Sequence, residues 1–470
     1  MKRNKIITLI LVIFVFGISV AYAADMIIGK DVYYDNSLSS LSSTNVQDAI
    51  DEINEKVLLT KSCSNNVEEP KLSDGLIPVT IKDDGTVVYA DTSKKWYDYC
   101  NKVWANAVIL EDGVSYNVGD TIKEDDIQSY FVWIPKYKYK LWNTGTASKK
   151  AHEIEIIFDT KDTTDVEGVS CKTPMTSGDS GNCKNGEYMT HPAFISMGVN
   201  GFWVGKFETG YTGATSTTAA QVNSNDTSKV IIKPNVYSWR SITVKNIFET
   251  SYNYKRESNS HMMKNTEWGA VAYLSHSKYG TNKEININNN SSYKTGYSAL
   301  KSTNQQTYPG TYGDGTTFND GYNTATGYKA TTTGNISGIY DLSGGAHEYM
   351  SSYISGKLGS SGFTTATLAS YDAKYFDIYN ASSALTSYQY RVLGDATGEM
   401  GPFKSYLDGD NIARWHNGWY GDNSHFIDSS SPWFSRGGYY YHGALAGQFD
   451  FGRDTGGVNI NLGFRIVLAP

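Results

Sequence analysis

Apolar and polar residues alternate through Ile77, Val79 and Ile81, break at Asp83-Asp84-Gly85, and resume with Val87 and Val88. This predicts a hairpin, since successive strand side chains face opposite ways and an Asp-Gly pair permits a tight reversal. A longer strand is expected from Tyr130 to Trp142, with Tyr137, Tyr139 and Leu141 opposite Lys136, Lys138 and Lys140. Near the N-terminus, Thr44 or Asn45 can cap a helix over residues 45–58, in which Val46, Ile50, Ile53 and Val57 form a short heptad seam. The seam either packs on its own domain or joins copies of the chain into an oligomer. Glu267, Trp268, Val271, Ala272 and Leu274 predict an amphipathic helix with Trp268 and Ala272 on one face. Elsewhere short strands alternate with long Gly/Asn/Thr-rich loops, notably 212–228 and 280–334.

The first residues carry a different signal. Lys2, Arg3 and Lys5 precede an apolar run from Ile6 to Val20 and an Ala21-Tyr22-Ala23 end. A basic head, a short apolar stretch and a small-x-small end predict a secretory signal peptide at 1–23, with an uncleaved signal anchor as the alternative. The expected location is secreted or cell-surface, with membrane contact only if the segment stays attached. Residues 24–65 then read as a linker with the short helix, 66–125 as a small β region and 126–470 as the main domain. The four cysteines are Cys63, Cys100, Cys171 and Cys183. In an exported chain they predict two disulfides, Cys171–Cys183 and Cys63–Cys100, free thiols being the alternative.

Composition narrows the function classes. Of 470 residues only 19% are charged, the formal net charge is −7, and 36 are tyrosine. A disordered chain would be richer in charge and poorer in aromatics, and a nucleic-acid binder would need a basic patch. Tyrosine and asparagine can accumulate through codon bias, but lysine would accumulate with them. No lysine follows Lys404, although Tyr, Trp and Gly stay dense there.

Four groups of segments follow one another along the chain. Phe131-Val132-Trp133-Ile134-Pro135 is followed by Phe202-Trp203-Val204-Gly205-Lys206-Phe207-Glu208-Thr209, and then by Lys264-Asn265-Thr266-Glu267-Trp268-Gly269-Ala270. Gly338-Ile339-Tyr340-Asp341-Leu342-Ser343-Gly344-Gly345-Ala346-His347-Glu348 comes next, and the series closes with Arg436-Gly437-Gly438 and Gly463-Phe464-Arg465. This order resembles the formylglycine-generating-enzyme (sulfatase-modifying factor) branch of the C-type-lectin fold. The resemblance implies an α+β, C-type-lectin-like domain over 126–470, rich in short strands and long loops. Independently of it, Arg436 and Arg465 sit in apolar strand ends, where burial against carboxylates is expected.

Catalysis is not expected. The enzymes of that family hold copper with a cysteine pair after RGG, but here Tyr439-Tyr440-Tyr441-His442-Gly443 fills the stretch and no cysteine follows Cys183. A soft copper site wants thiolates, so no copper is expected, nor iron, for want of an extra helical domain bearing histidines. Lone histidines such as His347 and His442 read as packing residues. The resemblance leaves calcium open as a structural cofactor at Asp341, Gly344, Ala346 and Glu348, against a metal-free hydrogen-bonded turn.

The final segment is also similar to the variable C-terminus of target proteins of diversity-generating retroelements. That resemblance implies solvent-facing, ligand-binding positions at Tyr439, Tyr440, Tyr441, His442, Asp450, Arg453, Asp454, Asn459 and Asn461. Tyr, Asn, Asp and Gly interleaved on small residues share the composition of antibody paratopes. Three adjacent tyrosines cannot all face one side of a strand, so at least one is exposed or in a loop. The expected function is non-catalytic binding or adhesion, with a protein or glycan on another surface as partner. The alternatives are a metal-dependent oxidase on the same fold and a phage or prophage host-attachment protein.

Overall fold

The expected hairpin forms the edge of the largest sheet. In the computed structural model, β1 (Ile77–Ile81) and β2 (Val87–Tyr89) pair antiparallel, with Ile81 opposite Val87 and Val79 opposite Tyr89. The structure describes Tyr33, residues 43–53, Cys63, 66–140, 151, 153–159, 189–299, 321–379, 419–423 and 425–470.

Strands continue with β3 (Asn106–Leu110), β4 (Thr121–Ile122), β5 (Ile127–Pro135), β6 (Tyr137–Lys140), β7 (Glu155–Phe158), β8 (Met189–Thr190) and β9 (Gly201–Gly205). After them come β10 (Gly210–Tyr211), β11 (Val230–Ile231), β12 (His261–Met262), β13 (His347–Ile354) and β14 (Asp377–Tyr379). The last four are β15 (Trp433–Gly437), β16 (Gly447–Asp454), β17 (Leu462–Gly463) and β18 (Ile466–Leu468). Together with the helices they make an α+β protein.

The eight-stranded sheet runs β12-β18-β9-β5-β3-β1-β2-β4. Residues 66–125 are therefore not a separate β region: β3 pairs with β5 along its length, and residues 65–470 form one compact unit. The expected Tyr130–Trp142 strand is also divided. β5 ends at Pro135, and Lys136 instead donates its N–H to Asn200 O. β6 then opens a three-stranded sheet, β7-β6-β8. Central β5 is buried on both faces, which explains its almost unbroken apolar run.

A second, five-stranded sheet is ordered β14-β13-β15-β16, with β17 pairing β13 in parallel. Against it lies the helix Asn265–Ser275, which is buried on every side rather than amphipathic. Its polar first turn is fully engaged. Asn265 N donates to Ser352 Oγ, Thr266 N to Asp377 Oδ2, and Glu267 Oε1 meets His261 Nε2 at 2.8 Å. Trp268 Nε1 donates to Gln448 O on β16.

Residues 1–64 form the other compact unit. Helix runs over 46–53, and Asn45 Oδ1 caps it by accepting from Asp48 N. Ile50 and Ile53 of the expected seam are 47% and 45% exposed. Val57 and the signal segment lie outside the described residues, as do Cys171 and Cys183; Cys63 and Cys100 are disulfide-bonded. No helix among the described residues is long and apolar enough to cross a membrane.

Candidate functional site

The candidate site is held from beneath by two arginines. Arg465, fully buried just before β18, donates Nε to Glu348 Oε2 at 3.0 Å and Nη2 to Glu348 Oε1 at 2.6 Å. It also donates Nη1 to Gly205 O and Nη2 to Tyr340 O, joining β13 of one sheet to β9 of the other. This is the buried arginine–carboxylate fork expected from the sequence. Arg436 donates Nε to Asp450 O, Nη2 to Gln448 O and Nη1 to Asn265 Oδ1.

The segment proposed for calcium is a turn of high internal order. Gly344 and Gly345 have φ of +77° and +72°, and a Cβ on Gly345 would lie 2.2 Å from Glu208 Oε1. Glycine is required there on both counts. Asp341 accepts from Asn288 Nδ2 and from Gly296 N, while both oxygens of Glu348 are committed to Arg465. The two carboxylates thus already have donors of their own, and one faces a cation. That arrangement does not fit a calcium cage, which needs six to eight oxygens turned on one ion. Glu208 accepts from Ala346 N and the Ser238 hydroxyl. Burial, and then the neighbouring Asp341 and Glu348, push its carboxyl well above the ordinary range.

Above this turn, Tyr439 to Tyr441 lie in the loop between β15 and β16, each half-buried. Main-chain bonds set the loop: Tyr440 N donates to Gly345 O and Gly344 N to Gly437 O. Tyr440 meets Tyr293 edge-to-face at 4.9 Å, and the Arg240 guanidinium stacks over Tyr293 at 3.7 Å. Tyr293 donates its hydroxyl to Asn461 Oδ1 at 2.5 Å. Tyr439 packs on His442 at 4.1 Å, and His442 stands perpendicular to His347 at 5.0 Å.

His347 Nε2 in turn lies 3.0 Å from Asp450 Oδ1. Its side chain is 13% exposed, that of Asp450 not at all. One ligand atom from each of His347, His442 and Asp450 lies within 4.8 Å of the others. His442 Nδ1 and Asp450 Oδ2 are buried without a hydrogen-bond partner. Burial, and secondarily His347, hold the His442 imidazole well below its usual pKa, hence neutral at pH 7.

The structure sorts the expected positions accordingly. Tyr439, Tyr440, Tyr441, His442 and Asn461 converge on one face. Asp450 does not face solvent, because β16 turns its side chain inward to His347. Arg453 is paired with Asp428; Asp454 accepts from the Tyr349 hydroxyl and from Asn459 Nδ2. Those three side chains serve the framework. Trp419, Trp433 and Phe434 are core residues.

Sequence reading took His347 for a packing residue and missed Arg240 and Tyr293, which reach the face from distant segments, and the exposed Val458 and Ile460 (58% and 59%) beside Asn459 and Asn461. The aliphatic pair stands out in the polar run Val458-Asn459-Ile460-Asn461 and was the one available signal. Comparison with protein families and with curated proteins returns no match.

Proposed function

We propose that this is an exported, non-catalytic binding protein with a C-type-lectin-like, formylglycine-generating-enzyme-like domain, which recognises a protein on another surface through the face built around Tyr439, Tyr440 and Tyr441. The observation that carries the reading is the conformation of that loop. Three adjacent tyrosines are left half-exposed on a main chain tied to the Gly344-Gly345 turn. Tyrosine offers a large contact area with few torsions to freeze, so a fixed tyrosine loop loses little entropy on binding.

The C-terminal strand β18 lying between β9 and β12, with a second sheet carrying the long loops, supports the lectin-like assignment. Val458 and Ile460 favour a protein partner over a glycan, since exposed aliphatic side chains beside aromatics match the apolar centre of protein interfaces. The missing cysteine pair after RGG supports binding over catalysis.

The test uses intact cells as the probe, with separate aliquots treated with protease or glycosidase. Binding of purified protein lost after protease, and lost in Tyr439→Ala/Tyr440→Ala/Tyr441→Ala with an unchanged melting temperature, is the expected result. Loss only after glycosidase would make the partner a glycan. Undiminished binding by the folded triple variant would overturn the assigned face.

A further inference from the structure

The pair His347–Asp450 explains itself: one imidazole nitrogen and one carboxylate oxygen at 3.0 Å. It does not explain His442, whose Nδ1 is buried and bare, nor the second oxygen of Asp450, buried and bare as well. Buried hydrogen bonds left unmade are costly, and two at one point call for a missing partner. The three side chains converge from separate places: the start of β13, the β15–β16 loop and the middle of β16.

We propose that His347, His442 and Asp450 bind a divalent transition-metal ion of the zinc class, leaving coordination positions open toward the tyrosine loop.

Donor chemistry sets the class. Two imidazole nitrogens and one carboxylate oxygen suit zinc and its neighbours, whereas calcium and magnesium want oxygen throughout. Three protein ligands around such an ion leave room for water or for a donor atom brought by another molecule.

The frame around the site is stiff. Asp450 is anchored through its carbonyl, which accepts from Arg436 Nε, and His347 N donates to Asn461 O. Space is kept by glycines: a Cβ on Gly452 would touch His347 Cε1 at 3.4 Å, and one on Gly438 would come 3.2 Å from His442 Nδ1. The known ligand atoms span up to 4.8 Å, somewhat wider than a closed tetrahedral site, so a small inward turn of the rings completes it. This inference stands on the cluster and does not depend on what the tyrosines recognise.

Metal-depleted protein titrated with Co2+ tests it directly. The expected result is a visible d–d absorption that saturates at about one Co2+ per chain, is displaced by Zn2+ and is untouched by excess Ca2+. His442→Gln and His347→Gln should abolish the band without changing the circular dichroism. Tyr441→Phe should keep it. The proposal is overturned by absence of a stoichiometric band, by a band that survives in folded His347→Gln/His442→Gln, or by displacement with Ca2+. Cobalt binding that persists while the tyrosine variant loses cell binding would separate the two readings cleanly.

Discussion

Replacing Arg465 by Met should be the most damaging single change away from the proposed binding face. The arginine makes four hydrogen bonds, two of them charge-assisted to Glu348, and neither side chain reaches solvent. Removing it leaves an uncompensated buried carboxylate, a defect worth about 3–5 kcal/mol. Glu348 has one escape, which is to take up a proton. Protonating a carboxyl of ordinary pKa at pH 7 costs about 4 kcal/mol, which places a ceiling on the charge contribution. The carbonyls of Gly205 and Tyr340 lose their donors too, adding about 1–3 kcal/mol for each that water cannot reach.

We therefore expect a loss of about 5 kcal/mol or more at pH 7, measured as the shift in urea midpoint followed by tryptophan fluorescence. The loss should shrink toward pH 5. Burial already holds the Glu348 carboxyl above its ordinary pKa beside Arg465, and removing the guanidinium raises it further, so the variant loses stability relative to the parent as pH rises above the ordinary carboxylate range and recovers below it. Arg465→Met/Glu348→Leu should regain much of the loss, because an apolar pair removes the stranded charge. A single-variant loss under about 1 kcal/mol, no difference between the two pH values, or strict additivity in the double variant would show that the fork is not a closed buried pair.

Three further outcomes follow from the same physics. Glu208 has a raised folded-state pKa, so its contribution to stability declines as pH rises from the ordinary carboxylate pKa toward that raised value; Glu208→Gln should flatten the melting-temperature profile above about pH 5, and an unchanged slope would count against it. Glu267 behaves oppositely. Burial works to raise its pKa, but His261 and Lys264 together hold it below the usual range, so its contribution is present above the ordinary carboxylate pKa and is lost as pH falls through the lowered one. Glu267→Gln should cost about 1–3 kcal/mol near neutrality and converge on the parent protein in acid, as read by urea unfolding. Gly438→Ala should destabilise by at least about 1–2 kcal/mol, since φ is +70° and the new Cβ would lie 2.7 Å from Ala446 Cα; a loss below about 0.5 kcal/mol by the same assay would mean that the loop relaxes freely.

What the sequence could convey was mostly local. The β1–β2 hairpin follows from alternation and one Asp-Gly pair, and the paired positive φ values of Gly344 and Gly345 follow from their adjacency in a turn. The helix Asn265–Ser275 misled because Asn265, Thr266 and Glu267 imitate a solvent face, while their real partners, Ser352, Asp377 and His261, lie on other elements. Asp450 failed for a related reason. Its alternation along β16 gives two faces but not which face is buried, and only the pairing with His347, 103 residues away, decides that. Periodicity carries no information about such long-range polar partners.

The tyrosine loop is fastened by atoms every amino acid except proline possesses. Tyr440 donates its own amide to Gly345, Gly437 accepts from Gly344 through its carbonyl, and Gly437 and Gly438 supply the left-handed turn that starts the loop. None of these depends on a phenol ring. The main-chain ties and the phenol rings are therefore separable, and other non-proline residues at 439–441 are expected to keep the ties to Gly345 and Gly344 while giving up the ring contacts with Tyr293 and His442. On the proposed function, such a protein would change what it recognises by substitution at these three positions alone.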